Sequence, residues 1–146
     1  MDANNLIWIG NLEKEAAEND DYRRVIYTSP GKDLERKSQL VLMKLNAKKE
    51  IGMEVHEDND QFIRVEKGRG EIVYGPSKEG PFATRKLADG YAVVVPHGTW
   101  HNIINTSKNS SLRLYTIYSP AHHPNETVQH KKPKEEKESL ASALFF

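Results

Sequence analysis

The spacing of its interruptions constrains the fold of this chain more than any other feature. Stretches rich in β-branched and aromatic residues recur between turn residues about every 8–12 positions, the pattern of an all-β sandwich or barrel. The strand-like stretches are Tyr22 to Thr28, Gln39 to Leu45, Met53 to His56, Gln61 to Glu66, Glu71 to Tyr74, Thr84 to Leu87, Tyr91 to Val95, Thr99 to Asn105 and Leu112 to Tyr118. Between them lie Ser29-Pro30-Gly31-Lys32, Gly68-Arg69-Gly70 and the Gly/Pro/Ser segment Gly75 to Pro81. Glycine supplies positive φ and proline a preset φ, so these segments read as turns. One segment, Leu12 to Glu18, reads as one or two helical turns. A single short helix among about ten strands argues against an alternating βαβ fold.

The 146 residues suit one domain. The expected organisation is an N-terminal segment, 1–21, with a short strand at Leu6 to Ile9 and the helix, then a barrel over 22–128, then a charged, flexible tail over 129–146. Lys131 to Glu138 carries four lysines and three glutamates with one proline, the composition of a solvated segment. Leu140 to Phe146 is apolar, and its reading as a docking helix or a passive end stays open.

Composition narrows the chemistry. There is no cysteine, which excludes disulfides, thiolate metal sites and a cysteine nucleophile and confines any metal to nitrogen and oxygen ligands. Lysine plus arginine equal aspartate plus glutamate at 21 each, so no net charge attracts nucleic acid or an anionic membrane. No helix-turn-helix segment is apparent, and no nucleic-acid partner is expected. No apolar run approaches the roughly 18 residues of a membrane span, and the N-terminus does not read as a secretory signal. The expected location is the cytoplasm.

Strand alternation places residues two apart on one face. Glu54 and His56 then lie together, as do Gln61, Ile63 and Val65, and His101, Ile103 and Asn105. Three separate strands each offer imidazole, carboxylate or amide donors beside apolar neighbours, a set suited to Mn, Fe(II), Ni, Co or Zn. On spacing alone a histidine at a strand position is more often hydrogen-bonded structure than a ligand. His122, His123 and His130 follow the last strand and read as an exposed loop, with a strap across the barrel mouth as the alternative. No lysine or arginine is assigned to the interior, and Arg64 and Arg113 are read as facing away from His101.

The stretch from Gly90 to Asn105 reads G-x5-P-x-G-x2-H-x3-N, through Pro96, Gly98 and His101. Upstream, Glu54-x-His56-x4-Gln61 is followed after six residues by Gly68. These two motifs resemble those of the cupin superfamily, the second at every defined position and the first in its spacing. The first departs in residue type, with Glu54 at a position usually histidine and Gln61 at one usually glutamate. Tyr22-Arg-Arg-Val-Ile-Tyr-Thr28, Gln39-Leu-Val-Leu-Met43 and Leu114-Tyr-Thr-Ile-Tyr-Ser-Pro120 extend the resemblance to small single-domain cupins often labelled mannose-6-phosphate isomerase-like.

The resemblance implies a double-stranded β-helix, or jelly roll, with one divalent metal in the barrel. Its implied ligands are Glu54, His56, Gln61 and His101, a set that keeps one anionic ligand while exchanging an imidazole for an amide oxygen. It implies a metal-dependent enzyme acting on a small molecule, isomerase-like or oxygenase-like. The alternatives are a non-catalytic barrel that binds a sugar or other metabolite, and a structural role carried by the barrel's surface. It also implies a homodimer, paired through Leu6 to Ile9 or Tyr22 to Thr28.

Overall fold

The computed structural model describes residues 7–32, 35–124 and 127–133. The described residues form one helix, α1 (Leu12–Glu18), and nine strands: β1 (Arg23–Thr28), β2 (Gln39–Leu45), β3 (Asp60–Lys67), β4 (Gly70–Gly75), β5 (Ala83–Leu87), β6 (Ala92–Val95), β7 (Trp100–Asn105), β8 (Leu112–Ser119) and β9 (Val128–Gln129). One sheet runs β6-β3-β8-β2-β1-β9 and the other β5-β4-β7. Neighbours within each sheet are antiparallel. The expected all-β jelly roll is the observed fold.

The sheets close on one apolar core. Val25, Val41, Met43, Ile63, Val65 and Leu114 from the larger sheet meet Ile72, Leu87 and Ile103 from the smaller. Along β8 the alternation is clean: Leu112, Leu114, Thr116 and Tyr118 face inward and are buried. The outer face of the larger sheet is covered as well. Leu40, Leu42 and Tyr115 pack there with Ala16, Leu12 and Trp8. Burial on both faces explains the nearly unbroken apolar run Gln39-Leu-Val-Leu-Met.

Local chemistry places α1 on that face. Asn11 caps it, its side-chain oxygen accepting from the Lys14 amide at 3.1 Å. The Arg113 guanidinium donates to the Ala16 and Asn19 carbonyls at the other end, where the helix leaves acceptors unpaired. Arg113 thus faces away from His101, as expected.

Three details differ from the expected pattern. Met53 to His56 forms only an isolated bridge, Glu54 with His101. No strand is assigned at Ile7 to Ile9. β1 is paired inside the chain on both sides, to β2 over its length and to β9 at Arg23 and Arg24, so those backbone edges are taken. β9 itself is two residues in a polar segment, too short to leave a periodic signal. Leu6 and the stretch from 134 onward, including Leu140 to Phe146, lie outside the described residues. No helix among the described residues is long and apolar enough to cross a membrane.

Candidate metal centre

The chain brings its donors together by tying an irregular segment to a regular strand. Glu54 and His101 exchange both backbone hydrogen bonds at 2.9 Å. The Ile51 amide donates to the Ile103 carbonyl at 2.9 Å and the Gly52 amide to Asn102 Oδ1 at 2.8 Å. Residues 51–54 are therefore zipped along the free edge of β7. The crossover from β6 to β7 turns at Pro96 to Thr99, where the Gly98 amide donates to the His56 carbonyl at 2.9 Å. Gly98 has φ +78°, a left-handed conformation that suits glycine. The turn fixes His56 beside the strand that carries His101.

Asn105, the last position of the second motif, serves the scaffold and not the centre. It is fully buried. Its Nδ2 donates to the carbonyls of Leu45 at 3.1 Å, Asn46 at 3.1 Å and Ser110 at 2.8 Å, and its Oδ1 accepts from the Ser107 amide at 2.9 Å.

All four residues selected from the sequence converge. Glu54, His56 and His101 present ligand atoms within 4.8 Å of one another, a cluster that could hold a metal ion. Glu54 Oε1 lies 3.2 Å from His56 Nε2 and 3.7 Å from His101 Nε2. Gln61 Oε1 lies 3.1 Å from His101 Nε2. The Gln61 amide nitrogen donates to Thr116 Oγ1 at 3.0 Å, which turns its carbonyl oxygen toward the cluster. His56, Gln61 and His101 are each 3% exposed or less.

The protonation pattern makes this a site for a cation. The Thr99 carbonyl, 2.9 Å from His101 Nδ1, can only accept, so Nδ1 carries the proton. Burial lowers the His101 pKa, with the Glu54 carboxylate opposing in part, and keeps the ring neutral. Its Nε2 is then a bare lone pair. Burial pushes the Glu54 carboxyl up, but the hydrogen bond and charge of His56 outweigh it and hold Glu54 below the usual carboxylate range. His101 Nε2, Gln61 Oε1 and Glu54 Oε1 therefore converge as acceptors. A backbone carbonyl that fixes the tautomer of a ligating histidine from behind is the usual support of a metal-bound imidazole.

The surroundings correct two sequence expectations. His122 and His123 are not an exposed loop. The His122 ring lies 4.6 Å from that of His56 and 5.1 Å from that of Tyr118, and His123 lies 4.6 Å from His122. Gln39, fully buried at the end of β2, clamps this strap. Its Oε1 accepts from the backbone amides of His122 at 3.2 Å and His123 at 2.8 Å, and its Nε2 donates to the His123 carbonyl at 2.7 Å. Burial, then neighbouring charge, lowers His122 to about 3 and His123 to about 2, so both are neutral bases in the barrel mouth. The second correction is Arg23. It is 6% exposed, on the inward face with Val25, and its charge reaches Glu54 and Tyr118. His97 and His130 lie apart from the centre, paired with Asp60 and Asp21 respectively.

Comparison with known proteins agrees with this architecture. The sequence pattern of the family described as "Cupin domain" matches residues 41–118. An uncharacterised protein, L612, of Acanthamoeba polyphaga mimivirus is 44% identical over 130 residues, which cover 89% of this chain and 76% of the relative. The uncharacterised Bacillus subtilis protein YrkC is 41% identical over 125 residues, covering 86% of this chain and 63% of YrkC. The crystal structure of BH2720 from Bacillus halodurans superposes with a TM-score of 0.80 at 36% identity, covering 90% of this chain and 94% of that one. With the jelly roll and both motif segments in place, the chain belongs to the cupin domain family.

Proposed function

We propose that this protein holds one divalent metal through Glu54, His56 and His101, with Gln61 as a fourth, neutral donor, and acts on a small molecule in the barrel mouth. The observation that supports it is the convergence of bare acceptors on one point, with His101 oriented from behind by Thr99. Two imidazoles, one carboxylate and one amide oxygen suit Fe(II), Mn, Ni, Co or Zn. Such an ion, when bound, polarises a carbonyl or hydroxyl, or takes dioxygen, at its open positions.

The chain's own residues do the rest. Tyr118 is buried and its phenol pKa is pushed up, so it stays a hydrogen-bond donor beside His56. His122 stands next to the centre in its unprotonated form, as a hydrogen-bonding group for a molecule in the mouth. The two-histidine, one-carboxylate set equally suits an oxygenase-like reaction. A homodimer is also proposed, with exposed Ile7 and Ile9 as the apolar surface to cover and light scattering as the measurement.

The test is turnover. Protein loaded with each metal in turn is incubated with sugar phosphates and, under air, with small oxygenase substrates. Turnover that disappears in His56→Ala supports the enzyme. Saturable binding without turnover would make the barrel a small-molecule binding module.

A further inference from the structure

Arg23 is a buried cation that the fold alone does not explain. Its register partner is Met43, a residue of the barrel core, and its guanidinium carbon lies 5.0 Å from the centroid of the Tyr22 ring. Its Nη1 donates to Gln129 Oε1 on β9, a neutral partner. Arg24, Lys44, Arg64 and Arg113 each face a carboxylate within ion-pair distance, whereas no such pair is formed by Arg23 among the described residues. Its Nε is buried with no hydrogen-bond partner. The Glu54 carboxylate acts on it without an ion-pair contact, and a guanidinium out of water with no anion in contact is costly.

A second orphan lies in the same region. His123 Nε2 is also buried without a hydrogen-bond partner. The Arg23 charge acts on His123, His122, Tyr118 and Glu54 together, so the guanidinium and the donor cluster share one interior. Two unsatisfied nitrogens, Arg23 Nε and His123 Nε2, and a guanidinium with no carboxylate in ion-pair contact thus share that interior. What they lack in common is an acceptor that carries negative charge.

We propose that Arg23 anchors the anionic group of the substrate, so that the barrel takes a small organic anion, a carboxylate or a phosphate ester. The Nε edge of the guanidinium supplies the fork that grips two oxygens of such a group. His123 Nε2 is a further polar contact for it. A second oxygen of the same molecule then faces Glu54, His56 and His101. That last clause rests on the metal reading above; the anchor at Arg23 does not.

The test is calorimetric titration of the whole chain, metal-free and metal-loaded, with malate and with inorganic phosphate, and with glycerol as the neutral control. Both anions are expected to bind and glycerol not to. Binding weakens about tenfold or more in Arg23→Gln, the usual loss when a charge-assisted hydrogen bond is removed. Arg23→Lys keeps the charge, loses the fork and falls between. It carries the test alone if Arg23→Gln does not fold. Tighter malate assigns a carboxylate substrate and tighter phosphate a phosphate ester. Anion binding that persists in metal-free protein upholds the anchor even if the metal centre fails. The proposal is overturned if wild type binds neither anion, or if both variants bind them as wild type does.

Discussion

Asn105→Ala separates what the second motif does for the fold from what it does for the centre. Nδ2 has two hydrogens for three carbonyls, and Oδ1 takes one amide hydrogen, so truncation removes the equivalent of three hydrogen bonds. At about 1 kcal/mol net for each, the loss is about 3 kcal/mol, and the buried Leu45 carbonyl left without its donor adds to it. The cost is large against a typical domain stability of about 5–15 kcal/mol. Asn105→Asp sharpens the test: it keeps the oxygen that receives the Ser107 amide but turns an acceptor toward three acceptors. It should cost at least as much as alanine. The assay is equilibrium unfolding in urea, followed through Trp8 and Trp100, with the folded fraction then tested for metal. A midpoint shift equivalent to less than about 1 kcal/mol would refute the hydrogen-bond reasoning. Loss of metal from a variant of undiminished stability would refute the assignment of Asn105 to the scaffold.

Two further outcomes follow from the same geometry. His122 and His123 are held at about 3 and about 2, below their ordinary 6.5, so the stability they contribute is complete above pH 6.5 and is lost as pH falls toward 3. Each such group contributes a slope of at most about 1.4 kcal/mol per pH unit, and partial exposure brings the pair to about 1 kcal/mol per unit. Urea unfolding of metal-free protein at pH 7, 6 and 5 should show this slope, and the double variant His122→Gln/His123→Gln should flatten it; an unchanged slope counts against their burial. Gly68 has φ +113°, and a Cβ there would stand 2.8 Å from the Ser111 carbonyl oxygen, so Gly68→Ala should cost about 2 kcal/mol by thermal unfolding. A neutral result would mean that the β3–β4 turn relaxes.

The sequence was readable where periodicity and fixed spacing carry the information. The turn-to-turn rhythm predicts eight of the nine strands among the described residues, and the resemblance to the cupin motifs selects Glu54, His56, Gln61 and His101. Glu54 shows how far that goes, since its place comes from a single bridge to His101 and not from a strand. Arg23 was illegible for a physical reason. Both faces of β1 carry apolar residues, Val25 inward and Ile26 against the outer cluster, so Arg23-Arg24 gives no sign of which arginine enters. The register also shifts between Val25 and Tyr27, which blurs the alternation further along. The histidine strap stands in the sequence only as the alternative to an exposed loop, because its position depends on one distant side chain, Gln39, and no local pattern encodes that contact.

The central claim is most directly tested by counting metal. Protein purified without added metal, then reconstituted, is compared with Glu54→Gln and His101→Ala by elemental analysis per chain. The account predicts about one divalent ion per wild-type chain and substoichiometric metal in both variants, because each removes one of three strong donors. Equal, negligible metal in wild type and His101→Ala would contradict it.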